Sequence, residues 1–346
     1  MDHEDLRNFD ISELRQIIIS MGYPEYRANQ LFRWLHRVGA AAVSEMSDLP
    51  RELREQLEEH FSIFVPEINK ILASRQDGTK KILFQLADRE KIETVIMPGD
   101  DNRCTVCISS QVGCPVGCTF CATGMSGFTR NLSPSEIICQ VYAANRLAEE
   151  QEQHWRVTNV VFMGMGEPLI NYHPVVKAIR ILNDPKGLNI SQRRITISTA
   201  GYVPGIFRMA DEGLQVVLAV SLHAADNGTR DELVPLNRRY PLKELAAACK
   251  CYTRKTGRRI TLEYALIDGV NDSKENALAL VGFATPLKAN VNVIPLNAVE
   301  GSRYRRSNRV REFVGLLCRN GIEAVVRRER GADIQGACGQ LRCRPV

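Results

Sequence analysis

The chain has 346 residues, of which 44% are hydrophobic and 25% are charged, so it is globular and large enough to bury a sizeable core. No run approaches the roughly 18 apolar residues that span a bilayer, and the charged first thirty residues do not resemble a secretory signal. The net charge of +5 is only a weak indication of an anionic partner. Eleven cysteines in such a chain predict metal or catalytic roles in the cytoplasm rather than a disulfide framework.

Residues 1–70 are predicted to form a small helical domain, because apolar residues recur at helical spacing from about position 10. Tyr23-Pro24 separates the first helix from the second, and a third begins near Pro50. We expect basic and aromatic side chains at its surface: Arg27, Arg33, His36 and Arg37. They would suit contact with nucleic acid, and a packing role stays equally open.

Residues 71–106 are predicted to form a short β extension. Asp77-Gly78 is a hairpin turn signal. Apolar residues alternate over 81–86, and residues 91–97 form a further strand. This antiparallel segment leads into the remainder of the chain.

From residue 107 to the end, strands alternate with helices, one of which opens with a capping box at Ser133 and Glu136. The β-branched runs lie at 159–163, 194–198, 215–221, 260–266, 290–294 and 323–326. Repeated βα units predict an α/β fold with a parallel sheet and helices outside it. We therefore expect a partial, six-stranded (β/α) barrel whose functional side chains lie at the C-terminal ends of its strands.

Three cysteines lie within eight residues, at Cys114, Cys118 and Cys121. Iron–sulfur clusters are usually held by four cysteine thiolates. Three on one tight loop would leave one iron open for another ligand, much as a catalytic metal keeps an open position. The C-x3-C-x2-C spacing therefore predicts a catalytic iron–sulfur cluster.

A zinc ribbon is the alternative for these cysteines. Cys104-x2-Cys107 and Cys118-x2-Cys121 are two C-x2-C pairs, as in zinc ribbons. The ten residues between the pairs are few for that pattern, and Cys114 would have no role. On this reading the protein would bind RNA without catalysis.

Polar residues follow several predicted strands where they would reach the barrel mouth. They are Gly166 and Glu167, Ser198, the run Ser221-Leu222-His223, and Asn297. Each alone is an ordinary turn or surface residue. Because the C-terminal ends of parallel strands meet at one face, we expect them to form one binding site beside the cysteine loop.

Cys338 lies in a glycine-flanked loop after the last strand, where small neighbours leave its sulfur accessible. It belongs to one of several motifs that, in this order, resemble the RlmN/Cfr group of radical S-adenosylmethionine (SAM) RNA methyltransferases over essentially the whole chain. The motifs are CISSQVGC at 107–114, CTFCATG at 118–124, GMGEP at 164–168, SLH at 221–223, RYP at 239–241, DI at 333–334 and ACGQL at 337–341.

The resemblance implies a radical SAM barrel and a role for each motif. Cys114, Cys118 and Cys121 would hold a 4Fe–4S cluster. Cys338 would carry a methyl group as S-methylcysteine, and Cys107 would release the product and leave a Cys107–Cys338 disulfide. Glu93 would accept a proton. SAM, used twice per turnover, would contact the strand-end residues: Gly166, Glu167, Ser198, Ser221, Leu222, His223 and Asn297.

The resemblance also implies substrates and partners. Members methylate an adenine near the peptidyl-transferase centre of 23S rRNA, at C2 in RlmN-like enzymes or at C8 in Cfr-like ones, where the modification confers antibiotic resistance. RlmN-like members also modify the adenine on the 3′ side of the anticodon in certain tRNAs. Ala224 and Ala225 after His223, and ELVPLN at 232–237, favour the RlmN form. We expect a cytoplasmic monomer that receives electrons from a donor such as flavodoxin.

Overall fold

A computed structural model describes residues 3–99, 102–152 and 154–343. The N-terminal module consists of β1 (Glu4–Asp5), α1 (Ile11–Ser20), α2 (Tyr26–Arg33), α3 (Arg51–His60) and β2 (Phe61–Ser62). Asp10 caps α1 in a capping box with Glu13. Three helices thus make up most of this module, and the chain leaves it through β2, which pairs in parallel with β1.

The N-terminal module is bound to the rest of the protein by a buried arginine. Arg7 is 3% exposed and donates to the carbonyl oxygens of Phe64 at 2.6 Å and Ala40 at 2.9 Å. The same guanidinium lies 3.2 Å from the sulfur of Cys139. Pairing of its donors offsets the cost of burying a guanidinium. Phe64 and Ala40 lie within residues 1–70, so of these three contacts it is the one with Cys139 that links the module to the rest of the protein.

The β extension follows as β3 (Glu67–Ala73), β4 (Lys80–Gln85) and β5 (Lys91–Pro98), all antiparallel. The Asp77-Gly78 turn joins β3 to β4, as the turn signal predicts. Next, β6 (Arg103–Cys107) pairs antiparallel with β5 on one edge. The chain then forms a hairpin of β7 (Gln111–Gly113) and β8 (Phe128–Asn131) around the short helix α4 (Ala122–Met125).

The remaining elements alternate as predicted. They are α5 (Pro134–Glu150), β9 (Arg156–Phe162), α6 (Tyr172–Asn183), β10 (Ile195–Thr199), α7 (Val203–Asp211), β11 (Val217–Ser221), α8 (Asn227–Leu233), α9 (Leu242–Thr256), β12 (Thr261–Leu266), α10 (Lys274–Ala284), β13 (Asn290–Pro295), α11 (Val310–Arg319) and β14 (Ala324–Val326). Within the described part of the chain, no helix combines the length and apolar character needed to cross a membrane.

One sheet of ten strands runs in the order β14-β13-β12-β11-β10-β9-β6-β5-β4-β3. Its ends, β14 and β3, do not pair with each other, so the barrel is partial, as expected. Six parallel strands were expected, but the described residues form seven, because β6 pairs in parallel with β9. The domain boundary expected between residues 106 and 107 thus falls inside β6, which links the extension to the barrel in one continuous sheet.

Candidate active site

The cysteine loop, residues 114–121, spans the tip of the β7–β8 hairpin. The Cys114 N–H donates to the carbonyl of Gly127 at 2.7 Å, and the Thr119 N–H donates to the carbonyl of Leu233 at 3.1 Å. Val116 and Phe120 pack in a small buried apolar cluster with residues of the strand ends, such as Ala224 and Leu296. The loop is therefore fixed by main-chain bonds and by its own core at the barrel mouth.

The three thiols of the loop fit an iron–sulfur cluster. Burial raises the pKa of Cys114 to about 12 and that of Cys118 further, and the neighbouring cysteines raise both. Thiols that are soft donors, close together and costly to ionise alone are stabilised as thiolates by a bound metal. A side chain at Gly124 would lie 2.8 Å from the Cys118 backbone, so α4 can begin this close only with glycine.

No group of three or more His, Cys, Asp or Glu in the described ranges is close enough to hold a single metal ion. Ligands of one ion crowd around one point, whereas the thiolates of a cluster bind different irons. Cys104 also fails the zinc-ribbon test, because it and Cys107 lie three positions apart on an extended strand and therefore face opposite sides of the sheet. The zinc-ribbon alternative is wrong.

Gly166 follows β9 with a φ of +105°. A Cβ there would lie 2.6 Å from the Cβ of Gln111 and 2.8 Å from the Ser110 hydroxyl. Glycine at this position therefore allows close packing against the chain between β6 and the cysteine loop. This packing brings the β9 end next to that loop.

Glu167 is 2% exposed and accepts backbone N–H bonds from Ala200 at 2.6 Å and Leu169 at 3.2 Å. Burial raises its pKa to about 7, although these bonds lower it. Its charge acts on Cys114 and Cys118, which shows that it lies beside the cysteine loop. The Thr199 hydroxyl also donates to this carboxylate. A carboxylate has about four acceptor positions, so one remains for the ammonium group of a ligand.

The next two strands bring hydroxyl groups together. The hydroxyl of Ser198 on β10 lies 3.2 Å from that of Ser221 on β11. Both side chains are half-buried. Paired hydroxyls of this kind can bind the hydroxyls of a ribose. The sequence prediction that these strand ends converge is therefore consistent with the geometry.

His223 follows buried Leu222 in a left-handed conformation, with a φ of +59°. Its Nδ1 accepts the Ala265 N–H at 3.0 Å, and its ring packs edge-on against Phe120 at 4.8 Å. Burial, and then the charge of Arg230, lowers its pKa to about 3. The imidazole is thus neutral and carries its proton on Nε2.

Arg230 was not predicted from the sequence. It is fully buried and donates to the carbonyls of Ala200 at 2.6 Å and Leu222 at 3.0 Å and to Asn237 at 2.8 Å. It thereby joins the ends of β10 and β11. A basic residue in a polar helix gives no sign in the sequence that its side chain is buried. The motif ELVPLN at 232–237, which contains the Arg230 partner Asn237, was the one available signal.

The C-terminal segment, residues 327–343, brings Cys338 to the cysteine loop. The Ala122 N–H donates to the Gly339 carbonyl at 2.8 Å, and the Thr123 hydroxyl donates to the Leu341 carbonyl at 2.7 Å. Asn297 donates through Nδ2 to the Cys338 carbonyl at 2.9 Å. Its Oδ1 is buried without a partner, and such an acceptor fits the amino group of an adenine.

Cys107 and Cys338 line one cleft together with Met163, Asn297 and Arg327. Cys338 is exposed to the open space of the cleft and has protein on its other sides. Burial raises the pKa of Cys107 to about 12 and also raises that of Cys338. Both thiols are free, so the disulfide that the resemblance implies is not a feature of this state of the protein.

Glu93 lies on β5, two positions from Val95, which lines the same cleft. It is 4% exposed. Its Oε1 pairs with Lys81 at 2.9 Å, and its Oε2 accepts the Arg342 N–H at 2.7 Å. The carboxylate therefore connects the β extension to the C-terminal segment that carries Cys338.

Comparisons with known proteins agree with this geometry. A model of the radical SAM superfamily matches residues 108–281, and a model of the ribosomal RNA large subunit methyltransferase N-terminal domain matches residues 4–63. The probable dual-specificity RNA methyltransferase RlmN of Moorella thermoacetica is 50% identical over 98% of this chain and 97% of its own. The chain belongs to the RlmN family of radical SAM RNA methyltransferases.

Other relatives support this membership. The probable dual-specificity RNA methyltransferase RlmN of Thermotoga maritima is 47% identical over 99% of this chain and 98% of its own. The crystal structure of a radical SAM methyltransferase from Sphaerobacter thermophilus superposes with a TM-score of 0.92 at 47% identity, covering 98% of this chain and 99% of that one. As in the radical SAM family generally, a 4Fe–4S cluster and SAM are implied, and the residues above fit both.

The basic residues expected to contact nucleic acid differ in their exposure and in their ion pairing. His36 is 1% exposed and bonds to the Tyr142 hydroxyl at 2.7 Å, so the expectation that it lies at the surface is wrong. Arg33 pairs with Asp48 at 2.7 Å. Further arginines follow β13 in the sequence, and two of these are also paired: Arg306 with Glu329 and Arg309 with Glu312. Much of this positive charge is therefore balanced within the protein.

Proposed function

We propose that this RlmN-family enzyme methylates C2 of adenine 2503 in 23S rRNA, and C2 of the adenine on the 3′ side of the anticodon in some tRNAs. The observation that carries the proposal is that Cys107 and Cys338 share one cleft beside the cysteine loop. A methyl transfer to a nucleophilic atom would need neither cysteine. The dual-specificity names of the relatives at 47–50% identity support the two substrates.

C2 of adenine has no lone pair with which to attack a sulfonium methyl group, so the methyl carbon must arrive as a radical. Cys114, Cys118 and Cys121 would hold a 4Fe–4S cluster, which would supply the electron for reductive cleavage of SAM to methionine and a 5′-deoxyadenosyl radical. Glu167, Ser198, Ser221, Leu222, His223, Asn297 and the backbone at Gly166 would hold SAM at the strand ends. One SAM per turnover donates the methyl group and a second provides the radical.

Cys338 is the residue that carries the methyl group. It takes the methyl from the first SAM, and hydrogen abstraction from S-methylcysteine then gives a carbon radical that adds to C2. The adduct radical must then lose one electron, to an acceptor such as the oxidised cluster that Cys114, Cys118 and Cys121 would hold, and its C2 proton, which Glu93 accepts. The Cys107 thiolate then attacks the Cys338 sulfur and forms a transient disulfide, and the carbon that leaves with the bond's electron pair takes a proton to give the methylated RNA. An external thiol must then reduce that disulfide.

The remaining partners follow from this chemistry. We propose that the enzyme works as a cytoplasmic monomer, where rRNA and tRNA are available, and that a low-potential donor such as flavodoxin supplies the electron. Reduction assays with and without flavodoxin, and light scattering of the purified protein, test these two points.

The decisive experiment is mass spectrometry of nucleosides from 23S rRNA fragments and tRNA after reaction with the anaerobically reconstituted enzyme. We expect 2-methyladenosine from both RNAs. Formation of 8-methyladenosine would contradict C2 selectivity and indicate the Cfr-like reaction, and no methylated adenosine from tRNA would limit the enzyme to rRNA.

Cysteine variants separate the two roles. Cys107→Ala should accumulate protein covalently bound to RNA, because nothing resolves the adduct. Cys338→Ala should give neither adduct nor product. Cys318→Ala, which removes an exposed thiol on α11, serves as the control and should retain product. If the first two variants merely lost iron, both residues would be cluster ligands and the proposed roles would be wrong.

A further inference from the structure

Arg327 follows the last strand, β14, and reaches into the cleft that holds Cys107 and Cys338. Its N–H donates to the Val293 carbonyl at 2.9 Å, which continues the β13–β14 pairing by one residue. Its side chain is 29% exposed. The guanidinium therefore begins from a rigid sheet position and not from a free loop.

The guanidinium is held from two sides. Both of its terminal nitrogens lie 3.3 Å from the sulfur of Met163, at the end of β9. One of them lies 3.4 Å from Oε2 of Glu263 on β12. Glu263 is 3% exposed, and its other oxygen accepts from Nδ2 of Asn292 at 3.0 Å. The planar fork of arginine can make these contacts together.

The positive charge of Arg327 acts on both thiols of the cleft. Burial raises the pKa of both, and Arg327 lowers the pKa of both. Glu263 and Cys121 also act on Cys338, in the opposite direction. At the rim of the cleft, Glu329 is paired with Arg306, Arg330 donates to the Asp77 carbonyl, and Arg328 contributes one more positive charge.

We propose that Arg327 is a positioning residue whose fixed charge stabilises the thiolate of Cys338 during methyl uptake and that of Cys107 during product release. This inference rests on the proposed function. In the first step the Cys338 proton passes to solvent in the cleft, and the thiolate gives its electron pair to the methyl carbon of SAM. The sulfur–carbon bond forms as the carbon–sulfonium bond breaks, and S-adenosylhomocysteine leaves with that bond's electron pair.

The test compares alkylation of Cys338 by anionic iodoacetate and neutral iodoacetamide. The iron-loaded protein is used anaerobically, and mass spectrometry follows the unmethylated Cys338 peptide. Arg327→Met should lower the iodoacetate-to-iodoacetamide rate ratio by about three- to tenfold, because a nearby positive charge attracts the anion. Arg327→Lys should retain most of the ratio. A loss of packing alone would change both rates together.

Arg328→Met is the matched control, because it removes an equal charge from the same cleft. An unchanged ratio in Arg327→Met, or an equal fall in both variants, would overturn the assignment. If Arg327→Met does not fold, Arg327→Lys and Arg328→Met are compared instead. An iodoacetate-to-iodoacetamide ratio no higher in Arg327→Lys than in Arg328→Met would also overturn the assignment. The pH at which Cys338 becomes methylated should also rise in Arg327→Met. None of these measurements uses RNA, so an absence of methylated adenosine in the wild type would contradict only the proposed function.

Discussion

The cysteine loop and the C-terminal segment supply four of the sulfurs of the site, those of Cys114, Cys118, Cys121 and Cys338, yet they are held in different ways. Main-chain hydrogen bonds at Cys114 and Thr119 fix the cysteine loop, together with the buried side chains of Val116 and Phe120. The C-terminal segment has only one turn of 3-10 helix, Ala332–Ile334, and its Cys338 thiol is exposed to the cleft.

Besides its bonds to α4 and Asn297, the C-terminal segment is held by side-chain hydrogen bonds to the β extension. Asp77 accepts the Gly331 N–H at 2.9 Å, and Asp333 accepts the Arg75 N–H at 3.2 Å. Lys81 donates to the Gln335 carbonyl at 3.1 Å. Ligands of a cluster need one fixed geometry, whereas a thiol that reacts with several partners in turn needs supports that can rearrange. The two segments meet these different needs.

The largest effect is expected in the cysteine loop, the more rigidly held of the two segments. Cys118→Ala removes one of three thiolates and should abolish iron binding and all methylation, because two thiolates do not hold a 4Fe–4S cluster. Iron and sulfide analysis of the anaerobically reconstituted protein checks this. Cys251→Ala, on α9, is the control and should retain iron. Full iron content in Cys118→Ala would show that the cysteine loop is not the cluster site.

The buried pair that anchors the C-terminal segment should give the next largest effect. Lys81→Met leaves Glu93 buried without its cation and should lower the free energy of unfolding by about 3–5 kcal/mol, as measured by urea denaturation. Lys80→Met, at a half-exposed neighbouring position, should have a much smaller effect. Lys81→Met/Glu93→Leu should recover much of the loss. Equal values for the two single variants would show that the pair is unimportant for stability.

The sequence predicted the cysteine loop more reliably than its surroundings. Local spacing alone identifies Cys114, Cys118 and Cys121 as neighbours, since they share one loop. It did not identify β6 as a parallel strand, because the short polar run RCTVC does not resemble the apolar strands beside it. The position of Arg327 beside the two thiols was not predicted, since this residue precedes a further arginine and resembles a solvated surface. Contacts between distant segments carry no local pattern.

A pH-dependent effect comes from Glu167, beside the rigid loop. Its pKa is about 7 in the folded protein against 4.5 for an ordinary glutamate, so the folded state binds more protons between these values. The stability it contributes is therefore present at low pH and lost as the pH rises through 7. This amounts to about 3 kcal/mol between pH 4 and pH 8.

Glu167→Gln should remove this pH-dependent contribution to the free energy of unfolding. The free energy of unfolding of the wild type and of Glu167→Gln is measured without SAM. Between pH 4 and pH 8 the wild type should lose about 3 kcal/mol relative to the variant. His223, whose pKa of about 3 has the opposite consequence at acid pH, is present in both proteins and cancels. A pH-independent difference would show that Glu167 ionises normally.

The smallest effect should come from the C-terminal segment, whose supports can rearrange. Burial opposes ionisation of Asp77, but hydrogen bonds from Thr79, Gly331 and Ser74 lower its pKa to about 2. Asp77→Ala removes the acceptor that holds Gly331 and should cost about 1–2 kcal/mol of local stability. Hydrogen exchange at Gly331 and Gly336 should accelerate about tenfold, while exchange within the cysteine loop stays unchanged.

Asp88→Ala is the control for Asp77→Ala, because Asp88 lies in the next hairpin turn and pairs with Arg130 instead of the C-terminal segment. Cys338 methylation should slow in Asp77→Ala and iron content should not change, since only the support of the acceptor thiol is weakened. Faster exchange in both segments would contradict the comparison. It would mean that the cysteine loop and the C-terminal segment open as one cooperative unit.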